Sequence, residues 1–173
     1  MYVDDLFIAQ KTPEVMQEMK QLLSSQFQMK DMGELHFCLG ITIEQDTTEK
    51  SIGLHQKQYL LKKLKKFRSE EVGILKSKLQ DAKPVSTLAD PNAKLCKDDG
   101  VSKSVDSTTY QSMVGILLYA TIIARPDISY VIAVVSRYNS NPSEAYLTAA
   151  KRILRYLNGT LDITLKYRKY DKD

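Results

Sequence analysis

Near Gln56 the hydrophobic period of this 173-residue chain changes from two to about 3.6. Upstream, Phe37, Leu39, Ile41 and Ile43 alternate with polar residues, and Ile52 and Leu54 resume the pattern beyond the polar turn Asp46–Lys50. Side chains on a strand point to alternate faces, so these runs read as two antiparallel strands. Gly40, inside the first, marks a bulge or a close approach by another backbone. Downstream, apolar residues recur at helical spacing. The expected class is α+β, with one or two antiparallel hairpins in the first third and a helix-rich remainder.

One helix precedes the strands. Thr12 is its expected N-cap and Pro13 its first residue, with Val15, Met16, Met19, Leu22, Leu23 and Phe27 forming a stripe that reads as core. After the strands, a helix over Gln56–Phe67 turns Tyr59, Leu60, Leu64 and Phe67 inward. Lys57, Lys62, Lys63, Lys65, Lys66 and Arg68 leave the rest of it basic: a solvated face, or a surface for nucleic-acid phosphates. Ser69–Gln80 reads as a short helix. Asp81–Val105, punctuated by Pro84, Asp90, Pro91, Asp98, Asp99 and Gly100, reads as a crossing between subdomains.

Three helices follow. The first, Ser107–Ile122, packs Met113, Leu117 and Leu118, and the second starts at Pro126 and buries Ile128, Val131, Ile132 and Val135. The third is capped by Asn141 ahead of Pro142-Ser143-Glu144, close to a capping box. It lines Leu147, Ala150, Leu154 and Leu157 on one face and Lys151, Arg152 and Arg155 on another. Asn158-Gly159 stops it, a better reading than the sequon that Thr160 completes. Thr160–Tyr167 alternates as a closing strand, ahead of a charged tail.

Composition narrows the classes. With 43% hydrophobic and 27% charged residues the chain fits a globular protein rather than a disordered one. No apolar run approaches the roughly 20 residues of a membrane span, and no secretory signal opens the sequence, so an intracellular setting without a membrane is expected. The net charge of +4 is compatible with nucleic acid without requiring it. Cys38 and Cys96 lack metal-type spacing and read as free thiols, and His36 and His55 stand alone.

The chemistry-bearing motif is Tyr2-Val3-Asp4-Asp5, followed by Leu6-Phe7-Ile8-Ala9. Adjacent aspartates on a regular strand point opposite ways, and both reach one side only at a hairpin tip or a bend. Such a tip suits Mg²⁺, which takes one or two carboxylates plus water and phosphate oxygens. That is the arrangement of two-metal nucleotidyl transfer. A solvated turn satisfies the same residues.

Seven blocks then resemble, in order, the reverse transcriptase of copia-type long-terminal-repeat retrotransposons. They are Tyr2-Val3-Asp4-Asp5-Leu6, Met29 to Leu35, Phe37-Cys38-Leu39-Gly40-Ile41, Lys83-Pro84-Val85-Ser86-Thr87, Val114 to Tyr119, Arg125-Pro126-Asp127-Ile128, and Ala150 to Thr160. The resemblance implies that Asp4 and Asp5 are the catalytic, Mg²⁺-binding pair at the tip of a palm hairpin, with Asp4 the direct ligand. It implies that Tyr2 and Val3 line the primer end and that Phe37, Leu39, Gly40 and Ile41 belong to the hairpin that grips the primer. The basic helix would begin a thumb whose Lys57, Lys62, Lys63, Lys65, Lys66 and Arg68 follow the template–primer backbone. The implied organisation is a partial palm with its primer-grip hairpin over 1–55, a thumb-like part over 56–105 and a helical connection over 106–173, leading toward ribonuclease H.

The departures shape the expected function. The family's active site takes a further aspartate from a palm strand upstream of the Tyr-Val-Asp-Asp hairpin, and this sequence starts one residue before the tyrosine. A lengthened segment falls around Arg68–Leu79. Leu88 stands where a proline is usual, Ala124 where a threonine is usual, and Tyr146 near a usual histidine. The expectation is a segment of an RNA-directed DNA polymerase, inactive alone, whose partners are a template–primer duplex and the rest of the polyprotein. The alternatives are a non-catalytic nucleic-acid-binding or protein-interaction relic, and a relic with no selected role.

Overall fold

The computed structural model describes residues 6–69, 84–90, 93, 95 and 105–169, with the side chains of 66–69 left aside. The chain divides into two units, residues 1–35 and 36–173.

In the first unit, helix α1 runs Pro13–Gln26. Pro13 opens it as expected, since its missing N–H falls where no helical bond is made. Thr12 is the N-cap by backbone geometry, but its side chain makes no capping bond. Phe27 N–H closes the helix on Leu23 O at 2.9 Å. Beyond it, Asp31 accepts from Gly33 N–H and pairs with Lys20 Nζ, each at 2.9 Å. The Lys20 hydrogen bond, then that from Gly33, holds the Asp31 carboxyl below its ordinary range. Two expectations fail in this unit. Leu6–Gln10 is not a strand; strand backbone needs neighbouring N–H and C=O groups to pair with. The α1 stripe is not core either, for no residue of the helix is buried.

The second unit contains a four-stranded antiparallel sheet in the order β1-β2-β3-β4. Its strands are β1 Phe37–Cys38, β2 Ile41–Asp46, β3 Ser51–His55 and β4 Leu165–Arg168. The expected single strand from Phe37 to Glu44 is instead a tight hairpin. Phe37 faces Thr42 and Cys38 faces Ile41, which leaves Leu39-Gly40 as a two-residue turn. Both turn residues have positive φ, 49° and 81°, as a type I′ turn requires. The next turn is stitched by Asp46 Oδ1, which accepts from Thr48 N–H and Glu49 N–H. The closing strand starts later than its sequence pattern suggests, at Leu165 rather than Thr160. One face of the sheet carries the register row Ile43, Leu54 and Leu165, all half-buried.

Helices form the core. They are α2 Lys57–Ser69, α3 Ser107–Ile123, α4 Ser129–Ser136 after a 3-10 turn at Pro126–Ile128, and α5 Glu144–Gly159. Leu60, Leu64, Tyr110, Met113, Leu117, Ile128, Ile132, Val135, Leu147, Leu154 and Leu157 bury their side chains together. Each such side chain contributes roughly 1.5–3 kcal/mol of transfer free energy. The buried Tyr110 hydroxyl donates to Val135 O at 2.7 Å, so α3 and α4 are pinned without an orphaned polar group. Burial, with neighbouring Tyr146, pushes the Tyr110 phenol well above its ordinary range. Asp106 caps α3, accepting from Thr108 N–H and Thr109 N–H at 3.1 Å each. Two details differ from the sequence reading. Leu118 faces solvent, and α5 starts two residues late with Ser143 rather than Asn141 at the N-cap.

Two of the sequence blocks turn out to brace each other. Arg125, nearly inaccessible, donates to both carboxylate oxygens of Asp127 at 3.0 and 2.8 Å, and to Thr160 O and Oγ1 at 2.9 Å each. Its guanidinium lies over the Tyr156 ring, and Tyr156 OH donates to Asp127 Oδ2 at 3.2 Å. The end of α5 is thereby tied to the turn after α3. A third block packs alongside: a Cβ on Gly159 would lie 2.7 Å from Pro84 Cβ. Gly159 is therefore needed for close approach, in addition to lying at the helix end. Arg152 Nη2 donates to Thr87 Oγ1 at 2.7 Å and holds the same segment. The expected helix over Ser69–Gln80 and the lengthened Arg68–Leu79 segment lie almost wholly outside the described residues.

Candidate nucleic-acid interface

The Leu39-Gly40 turn holds one of two non-glycine residues with positive φ among the described residues, the other being Lys50. Leucine at φ 49° is in the left-handed region, which costs an L-residue with a Cβ roughly 1–2 kcal/mol. Leu39 recovers nothing by packing, because it is 73% exposed, and Phe37 on the adjoining strand is 55% exposed. Gly40 has φ +81°, and a Cβ there would lie 3.2 Å from the Tyr59 ring. Ile41 is half-buried behind the turn.

Two tyrosines back this turn. Tyr119 OH, from α3, donates to Leu39 O at 2.5 Å. Its ring meets that of Tyr59, from α2, edge to face with centroids 5.0 Å apart. Burial, then the neighbouring Tyr119, holds the Tyr59 phenol above its ordinary range, so it stays neutral. Lys63 Nζ sits 5.5 Å from the Tyr59 ring centroid, placing a cation beside the turn. Sequence reading singled out Phe37, Leu39, Gly40, Ile41 and Lys63, but missed Tyr59 and Tyr119 as their support. The only local signal was helical spacing, which assigned Tyr59 to the core.

Among the described basic residues of α2, Lys57 is set apart by an ion pair. Lys57 Nζ is paired with Asp162 Oδ1 at 2.5 Å, beside a polar cleft where His55 Nε2 lies 3.3 Å from Glu44 Oε1. Lys62 and Lys65 are exposed. The side chains of Lys66 and Arg68 lie outside the described residues, as do Tyr2, Val3, Asp4 and Asp5 altogether. On α3, Gly115 lies on the exposed face between Gln111 and Tyr119, and a Cβ there would meet nothing within 4 Å. Among the described residues no group of three His, Cys, Asp or Glu side chains could hold a metal ion. Nor is any helix among them long and apolar enough to cross a membrane.

Residues 1–74 match the family model described as reverse transcriptase (RNA-dependent DNA polymerase). The chain is 34% identical to the transposon Ty5-1 protein of Saccharomyces cerevisiae over 96% of its own length and 50% of the relative's. It is 36% identical to the retrovirus-related Pol polyprotein from transposon TNT 1-94 of Nicotiana tabacum, over 92% of the chain and 12% of the polyprotein. With the corresponding polyprotein from transposon RE1 of Arabidopsis thaliana the identity is 38%, over 92% of the chain and 10% of the polyprotein. No solved structure matches. Over its first 74 residues the chain is thus similar to the reverse transcriptase family. The similarity to retrotransposon Pol polyproteins runs through nearly the whole chain, which spans half or less of the length of the relatives just named. The family works with divalent metal ions, and the candidate ligands Asp4 and Asp5 fall outside the described residues.

Proposed function

We propose that this chain is the part of an RNA-directed DNA polymerase that holds the template–primer duplex, with the Phe37–Ile41 hairpin against the primer end. The observation that carries this reading is the turn itself: a leucine is kept in a left-handed conformation with its side chain exposed rather than packed. Backbone strain of that kind is retained where a ligand uses it. Exposed Phe37 and Leu39 offer apolar surface to a sugar or base, and Lys63 stands close enough to serve a phosphate.

The wider assignment follows the family. Asp4 and Asp5 are the catalytic pair, Mg²⁺ is the ion they serve, and Tyr2 and Val3 line the primer site. Residues 1–55 serve as palm and primer grip, 56–105 as a thumb-like part and 106–173 as the connection toward ribonuclease H. Polymerisation takes place in the setting of the longer Pol polyprotein, which supplies a further aspartate and covers the apolar face of α1. Phosphate contacts come from Lys62, Lys63 and Lys65, with Lys66 and Arg68 as further candidates. Lys57 is the least suited, because Asp162 already neutralises it.

A template–primer duplex carrying a fluorophore, titrated with the chain at several salt concentrations, tests the holding role. Phosphate contacts carry no base information, so binding should be indifferent to sequence. With about three phosphates neutralised, the logarithm of the binding constant should fall with the logarithm of salt at a slope of roughly −2 to −3. Replacing Lys62, Lys63 and Lys66 together by alanine should flatten the slope. No binding at low salt, or an unchanged slope in the triple variant, contradicts the reading. Primer extension by the chain alone, against the chain joined to upstream Pol sequence, separates a polymerase segment from a non-catalytic binder.

A further inference from the structure

We infer that Tyr119 and Tyr59 are positioning residues for the primer end: a two-tyrosine backstop that fixes the Leu39-Gly40 turn in its strained shape and sets its distance from helix α3. This deepens the primer-holding reading and rests on it. Three observations converge. Tyr119 OH is bonded to the carbonyl of the strained residue itself. A Cβ on Gly40 would crowd the Tyr59 ring at 3.2 Å, and φ there is +81°, so glycine lets the turn settle closely against it. The two rings then lock edge to face, which ties α2 and α3 to one turn.

The physical consequence is specific. A type I′ turn joining β2 to a strand as short as β1 has few ladder bonds to hold it. Beyond the Phe37–Thr42 and Cys38–Ile41 pairings, Ile43 N–H adds a bond to His36 O at 2.8 Å. Leucine in the left-handed region pulls the turn toward other conformers. A hydrogen bond to its carbonyl from a helix some distance along the chain opposes that relaxation, and holds exposed Leu39 against the tyrosine pair that Lys63 also touches. Removing the hydroxyl alone should loosen the turn while leaving the charge that attracts the duplex in place. Primer placement should fail without loss of overall binding.

The test uses the 173-residue chain and its Tyr119→Phe variant, with Tyr130→Phe, an exposed tyrosine elsewhere, as control. Amide hydrogen exchange at Gly40 and Ile41 reads the turn. Cross-linking from a photoreactive nucleotide at the primer 3′ end of a template–primer duplex reads placement. In Tyr119→Phe, exchange should rise about five- to ten-fold, the scale of one lost hydrogen bond. Cross-linking to Phe37 and Leu39 should fall several-fold, with the salt slope of duplex binding unchanged and Tyr130→Phe resembling the parent in both. Gly40→Ala should disturb both readouts by pressing on Tyr59 from the other side. Unchanged exchange in Tyr119→Phe overturns the backstop, whatever the duplex does. Faster exchange with unchanged cross-linking shows a structural tie with no positioning role and overturns the inference. If the parent chain never cross-links at the turn, the primer-holding reading fails with it, and the exchange data then judge the structural tie separately.

Discussion

Helices α1 and α5 carry the same kind of sequence signal and meet opposite fates. Each has apolar residues at helical spacing on one side and polar residues on the other. In α5, Tyr146, Leu147, Ala150, Ile153, Leu154 and Leu157 are all buried. In α1 nothing is buried, and Leu22 is 61% exposed. Periodicity identifies the face that seeks cover, while tertiary neighbours decide whether it finds any. Among the described residues, those of 36–173 bring four helices around a shared core, whereas those of 6–35 offer α1 no such set of partners.

The sharpest way to break the comparison is to truncate one leucine in each helix. Leu154→Ala should cost roughly 2–5 kcal/mol, because it empties a filled site. Leu22→Ala should change stability by no more than about 0.5 kcal/mol, as at other exposed positions. Urea unfolding of both variants reads the difference, and equal losses would mean that α1 is core after all.

Glycines sharpen the account within the second unit. Gly159→Ala forces a Cβ onto the rigid Pro84 ring and should cost about 1–2 kcal/mol. Gly115→Ala meets open space and should stabilise the helix by about 0.5–1 kcal/mol. Thermal unfolding separates the two by sign alone.

The order of helices and strands was legible because burial imposes local periods that the chain cannot hide. The turn at Leu39-Gly40 was not. Phe37, Leu39 and Ile41 alternate as a strand should, and leucine gives no hint of a left-handed turn. The groups that stabilise the turn lie far along the chain, with Tyr119 eighty residues from Leu39. The Lys57 ion pair was hidden for the same reason: local charge suggested a phosphate ligand, and the partner, Asp162, lies 105 residues away. The Arg125-Pro126-Asp127 and Tyr156 to Thr160 blocks were visible as motifs, yet their joint role as a brace exists only once the chain has folded.

The smallest expected effect concerns pH. Burial tends to raise the Asp127 carboxyl, but the hydrogen bonds and charge of Arg125, with help from Tyr156, outweigh it and leave the group below its ordinary range. Stability from this brace is therefore fully present above the ordinary carboxylate pKa of about 3.9, and is lost as pH falls through the lower folded value. Asp127→Asn should flatten the acid limb of the stability curve below about pH 4. A limb of unchanged steepness, measured by urea unfolding at several pH values, would assign the acid sensitivity to other carboxylates.

Hydrogen exchange across the whole chain, followed by mass spectrometry, probes the difference between the two regions most directly. Amides of α3 and α5 around Val114–Leu117 and Ile153–Leu157 should exchange only through global unfolding, and those of α1 through local opening at far smaller free energy. Protection in Val15–Leu23 several orders of magnitude below that of the two core helices is the predicted result. Equal protection in α1 and α5 would contradict it.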